Sequence, residues 1–193
     1  LFADITRFPR ILPFSIRTME VRKKLENLIN KETMALFLIQ NEMKFKSSMK
    51  IILEHLTTPE AIHSRIFIKF PEMIEPEAGG VLRGWLTSVA EDIVKEKRDY
   101  FIPTQNNSKF TINPKCEDLK TLEAIGRFIG LVVLHGEVLG YQISKHVIKQ
   151  LVNRPIKASD LSDLEPEIYE TIKWINDPNN NPEDLYLDFT AIS

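Results

Sequence analysis

Apolar residues recur along this chain at a helical period, interrupted by short stretches that alternate or cluster. In EVRKKLENLINKE, Val21, Leu25, Leu28 and Ile29 fall at i, i+4, i+7 and i+8, which predicts a helix with one apolar stripe on a charged surface. Pro9 and Pro13 keep the segment before it extended or turning. The whole N-terminal third reads as helical, on through MKIILEHL from Met49, and Thr58 before Pro59 and Glu60 marks a new helix start. IFIKF, Ile66 to Phe70, is the strand candidate of this region. AGGVLRGW, Ala78 to Trp85, follows, where Gly79 and Gly80 allow a positive φ or a close backbone approach. Leu82, Trp85, Leu86, Val89 and Ile93 then share one helical face, with Trp85 as its bulky anchor.

The second half continues the alternation of helix and break. DYFIPTQNNSKFTINP, with Pro103 and the Asn106-Asn107-Ser108 cluster interrupting two apolar pieces, predicts a hairpin or two strand fragments joined by a turn. From Asp118 to Leu139 the pattern is apolar on more than one face, as in a helix buried inside a domain, and Gly126 and Gly130 are expected to permit close packing there. Gly136 and Gly140 flank the turn out of it. Ser144 is expected to cap a short helix bearing Val147, Ile148, Leu151 and Val152, and the chain turns at Arg154-Pro155. Pro166 opens another helix, in which Leu164, Ile168, Ile172 and Ile175 align. Asn176 to Pro182 is a loop by composition. Beyond it Leu185, Leu187, Phe189 and Ala191 alternate with polar residues, which predicts a half-buried strand. A strand without a partner at the chain end is expected to belong to a longer protein, as is a chain that opens on Leu1.

Composition narrows the classes of answer. At 193 residues and 43% apolar content the chain can bury a core as one large domain or two small ones. The net charge is -2 without a long run of one sign, so neither nucleic acid nor an acidic membrane is the expected partner. No apolar run is long enough to cross a bilayer, and LFADITRFPR lacks the layout of a secretory signal. With one cysteine and hence no internal disulfide, the expected location is intracellular, cytoplasmic and/or nuclear.

Chemistry-bearing residues are sparse. Cys116 stands beside Glu117 and Asp118 rather than beside cations, with no adjacent histidine to act as its base, so no catalytic role is expected of it. His55, His63, His135 and His146 form no pair at metal-ligand spacing, and neither a metal nor a cofactor is expected. Asp160, Asp163 and Glu165 read as helix-capping and first-turn acids. Arg83 and Arg127 read as structural partners of buried or half-buried acids.

The order of PFSIRTMEVRKKLENL, MKIILEHL, IFIKFPEMIEPEAGGVLRGWL, FTINP, AIGRFIGLVVLHGEVLG, IKQLVNRPI and IYETIKWINDP with LYLDF resembles the N-terminal lobe of the HECT-type ubiquitin ligases. The resemblance covers nearly the whole chain, and its opening looks most like the large ligases whose HECT domain ends a very long polypeptide. It implies an α+β, mostly helical fold with short strands and hairpins. Residues 1–158 would be the large N-lobe subdomain and 159–193 its last helix and the start of the small conjugating-enzyme-binding subdomain, with the C-lobe absent. It also implies a two-step transferase: a ligase cysteine accepts ubiquitin from a conjugating enzyme as a thioester and passes it to a substrate lysine. That family's cysteine lies in a His-Thr-Cys-Phe setting, which this sequence lacks, so no catalytic residue is assigned and the chain alone is expected to be inactive.

Carried over residue by residue, the conjugating-enzyme surface would involve Ile172, Trp174, Ile175, Tyr186 and Leu187, while Gly79, Gly80, Arg83 and Trp85 form a structural motif. The spacing puts Ile172 and Ile175 on the stripe of Leu164 and Ile168, where core packing competes with docking, and puts Trp174 and Tyr186 off their apolar faces. The implied partners are a ubiquitin-conjugating enzyme, ubiquitin, and protein substrates held by regions outside this chain. A non-catalytic helical interaction module sharing the pattern is the alternative reading.

Overall fold

The computed structural model of the chain describes residues 12–95 and 99–186. Those of Leu1–Tyr100 and Lys115–Gly140 form one compact unit, and those of Phe101–Pro114 and Tyr141–Ser193 a second. The expected subdomain boundary at 158/159 falls inside the second unit. Among the described residues the fold combines helices with two small two-stranded sheets.

The first unit opens with α1 (Phe14–Leu28), which starts directly after Pro13. None of its residues is fully buried, and Val21 and Leu28 of the expected stripe stay about half exposed, at 52% and 48%. A strand follows, β1 (Asn30–Leu38), where the sequence pattern reads as helix. Met, Ala, Leu, Lys and Glu in NKETMALFL favour helix as an isolated segment, but parallel pairing with β2 (Ser64–Lys69) overrides that preference. Parallel strands need a crossover, and here the intervening chain folds into α2 (Lys44–His55) and α3 (Pro59–Ile62). The start of α3 is the one expected, since the Thr58 hydroxyl accepts from the Ala61 amide at 3.3 Å.

The core of this unit forms around Trp85. Gly80 begins α4 (Gly80–Lys95), and Leu82, Trp85, Leu86, Val89 and Ile93 are all buried, as their spacing predicts. The Trp85 ring meets Phe37 of β1 edge-on at 5.8 Å and Phe128 of α5 (Leu119–Leu134) edge-on at 6.0 Å. Its indole Nε1–H donates to the Ser48 hydroxyl at 2.9 Å, and that hydroxyl donates to the Lys44 carbonyl at 2.6 Å. Three elements are thereby locked through one side chain whose polar atom has a partner.

Helix α5 ends earlier than the apolar run. The Gly136 and Glu137 amides bond back to the carbonyls of Val133 and Val132 at 3.0 and 2.9 Å, a Schellman closure with Gly136 at φ 67°. Gly126 and Gly130 do not mediate the expected close packing. Both are exposed, and a Cβ on either would meet nothing within 4 Å. Gly79 is required for its φ of 73° rather than for a close approach, since a Cβ there or on Gly80 meets open space too.

The second unit contains the expected hairpin, with β3 (Phe101–Pro103) antiparallel to β4 (Phe110–Ile112). Ser144 stands at the N-terminus of α6 (Lys145–Leu151) as expected, but its buried hydroxyl makes no capping bond. At the other end Asn153, at φ 53°, closes α6 with the same bond pattern as Gly136. A 3-10 segment, Ala158–Asp163, leads to α7 (Pro166–Ile175), which packs against it. Leu185 ends a 3-10 turn instead of opening the predicted strand, and the rest of that strand after Tyr186 lies outside the described residues.

Candidate functional site

Helix α7 and the turn after it carry the positions at which the family resemblance implies a docking surface. Pro166 occupies the first turn of α7, where a missing amide costs no hydrogen bond. At the other end, Asn176 Nδ2 donates to the Ile172 carbonyl at 2.8 Å and Asn180 Nδ2 to the Trp174 carbonyl at 3.0 Å. The asparagine-rich loop therefore caps the helix. Asn181 then accepts from the Glu183 amide at 3.3 Å, shaping the turn that ends at Tyr186.

On this frame Ile172, Trp174 and Ile175 are all half-buried, and no residue of α7 is fully buried. Trp174, which its spacing places off the stripe, is covered like the isoleucines beside it. Ile168 is 47% exposed, and Tyr186 is 93% exposed in a left-handed conformation at φ 49°. Leu187 lies outside the described residues. The apolar stripe is thus incompletely covered, with an aromatic ring standing free at the end of the following turn.

Beneath α7 a charged anchor holds the second unit together. The Asp160 carboxylate, 1% exposed, accepts from Lys149 Nζ at 2.8 and 2.5 Å and from the Lys157 amide at 2.8 Å, with Lys145 Nζ at 3.7 Å. The Lys149 hydrogen bond, then the Lys157 amide, hold this carboxyl below its usual range. Asp163 pairs with Lys109 of the hairpin at 2.7 Å. Both acids do more than the helix capping that their sequence context suggests: they tie α6 and the hairpin to the segment that supports α7. Sequence spacing could not pair Asp160 with Lys149, because that pairing depends on how α6 closes.

In the first unit, Arg83 and Glu137 pair at 2.7 Å on the wall of a cleft of about 990 Å³ that includes Gly79, Gly80 and His135. Arg127 donates to the carbonyls of Leu53 and Leu56 at 3.3 and 3.1 Å and pairs with Glu123 on its own helix. Its acid is therefore half the story, the other half being the C-terminus of α2. Cys116 is half-buried, its thiol 4.0 Å from the Asp118 carbonyl. Among the described residues no group of three or more His, Cys, Asp and Glu is placed to hold a metal.

Burial holds the proton affinity of His135 below its usual range, and its Nε2 is unpartnered. The unfolded chain takes up this proton near pH ~6.5, whereas the folded chain does so only at lower pH. Its contribution to stability is accordingly full above about pH 6.5 and declines as pH falls towards the depressed folded value. Urea midpoints measured between about pH 7.5 and 5 should fall more steeply for the wild type than for His135→Gln. Parallel profiles would count against this assignment.

The fold is α+β and mostly helical, and α7 leaves part of its apolar stripe uncovered. A family model described as HECT-domain (ubiquitin-transferase) matches residues 87–193. The chain belongs to the HECT-domain family. Among its relatives, the E3 ubiquitin-protein ligase Smurf1 of Drosophila melanogaster is 26% identical over 72% of this chain and 13% of its own length. The E3 ubiquitin-protein ligase TOM1 of Saccharomyces cerevisiae is 25% identical over 90% of this chain and 5% of its own. The E3 ubiquitin-protein ligase ptr1 of Schizosaccharomyces pombe is 24% identical over 99% of this chain and 6% of its own. The chain thus spans only 5% to 13% of the length of these relatives.

Proposed function

We propose that this chain is the N-terminal lobe of a HECT-type ubiquitin ligase, and that its part in the reaction is to hold a ubiquitin-conjugating enzyme through α7 and the turn ending at Tyr186. The observation that carries this reading is the family match over residues 87–193, which includes the whole of that surface. Ile168 at 47% exposure and Tyr186 at 93% supply apolar area to a partner. In the complete ligase a cysteine outside this sequence accepts ubiquitin as a thioester and passes it to substrate lysines. Cys116, the one thiol here, takes no part in transfer. The segment 159–193 opens the conjugating-enzyme-binding subdomain, and the protein works in the cytoplasm and/or nucleus.

The test uses the complete ligase. Tyr186→Ala, at a fully accessible position, should slow loading of the ligase cysteine from a charged conjugating enzyme about tenfold, the loss of one interface anchor worth about 1–2 kcal/mol. Adding Trp174→Ala should deepen the defect, and the unfolding temperature of the Tyr186 variant should not move. Cys116→Ala should load and transfer normally. A reducible ubiquitin adduct on Cys116, or loading indifferent to both aromatic substitutions, would overturn the reading.

A further inference from the structure

Strand β1 is nine residues long and, among the described residues, pairs only with β2. The Ile39 amide donates to the Lys69 carbonyl at 3.0 Å, and the alternation of a parallel ladder turns the amides and carbonyls of Met34, Leu36 and Leu38 to the opposite edge. These three residues are also the apolar side chains the strand leaves exposed, at 72%, 50% and 60%. An edge of this length and apolarity that no described residue pairs is a template for another strand.

The edge has a second wall. Leu36 and Leu38 line a groove of about 500 Å³ whose other side is Met43 and, on α2, Lys46, Lys50 and Ile51. A free strand edge beside a helix, with an apolar groove between them, suits β-addition of an extended peptide. Main-chain bonds then supply affinity, and every second side chain enters the groove.

Charge selects the occupant. Lys46 and Lys50 project from the helix wall, and the register sets Arg65 and Lys69 of β2 opposite Met34 and Leu38. Glu54 is the acid lining the groove, and it lies 3.9 Å from Lys50. The surface is apolar with a cationic rim, so a complementary segment carries acids between its apolar residues. A second copy of β1 does not fit that pattern, since its one acid, Glu32, adjoins Lys31 and none stands among Met34 to Leu38.

We propose that the β1 edge and the α2 groove bind an extended peptide segment of a partner protein in which apolar side chains alternate with acidic ones. This surface lies in the first unit, and α7 contributes no residue to it. The test screens the chain against a random library of peptides about nine residues long, matching the strand, and follows backbone amide exchange with the selected peptides. Selected sequences should alternate apolar and acidic residues, and binding should protect the amides of Met34, Leu36 and Leu38. Methylating alternate peptide nitrogens should abolish binding. Lys46→Glu with Lys50→Glu should weaken it at least about tenfold while leaving the unfolding temperature in place. The proposal is overturned if the library yields no binder or only basic ones, if bound peptides leave those amides unprotected, or if charge reversal has no effect. Concentration-dependent dimerisation that protects the same amides would assign the edge to a second copy, and would also overturn it.

Discussion

Trp85→Ala should destabilise the first unit by about 3–5 kcal/mol, enough to leave a domain of ordinary stability partly unfolded at room temperature. The indole is 1% exposed and touches aromatic rings on β1 and α5 from its own place on α4, so its removal opens a cavity that no single element can close. Trp85→Phe should cost less, about 1–2 kcal/mol, because the ring contacts remain and the Ser48 hydroxyl keeps the Lys44 carbonyl as its acceptor. Ser48→Ala tests the polar half separately. It leaves the buried indole N–H without its acceptor, and about 1–3 kcal/mol of destabilisation is expected from that alone. Urea denaturation of the three variants should order them Trp85→Ala as the least stable, with the other two between it and the wild type. A Trp85→Ala variant within about 1 kcal/mol of wild type would mean that the core does not close around this residue.

Arg127→Ala is expected to cost about 2 kcal/mol, nearly all of it from two carbonyls rather than from the neighbouring acid. Leu53 and Leu56 stand at the C-terminal end of α2, where carbonyls lack intrahelical donors and the helix dipole favours a cation. The Arg127 guanidinium donates to both from α5, so the substitution uncaps one helix by changing another. Glu123→Gln removes only an i, i+4 pair in which Glu123 is 56% exposed, and should change stability by no more than about 0.5 kcal/mol. Arg127→Lys retains the charge but not the fork that spans two carbonyls, and should fall between the two. Equal losses from Glu123→Gln and Arg127→Ala would relocate the effect to the ion pair.

Much of the scaffold is legible in the chain because it rests on local rules. The face of α4 follows from a 3.6-residue period, the start of α3 from a threonine before a proline, and the hairpin from two apolar pieces around an asparagine cluster. The apolar stripe of α7 and its asparagine-rich stop are local in the same sense, whereas the docking positions upon them follow from the family resemblance and not from the pattern. Asp160 was legible only as a cap, since a carboxylate three residues from an amide can close a turn whatever surrounds it, whereas its lysine partner comes from another helix.

What the sequence by itself determined is therefore the series of helices, their breaks, and the family resemblance that their order carries. Tertiary structure alone decided that NKETMALFL is a strand, because a free segment of helix formers becomes extended only when β2 offers a parallel ladder. It decided that Gly126 and Gly130 face open space, since a glycine pair marks where a neighbour could approach and not whether one does. It also decided how far Trp174 is covered, since its spacing places it off the apolar stripe and the folded chain leaves it half-buried all the same. Periodicity reports which residues share a face. Only packing decides what, if anything, lies against it.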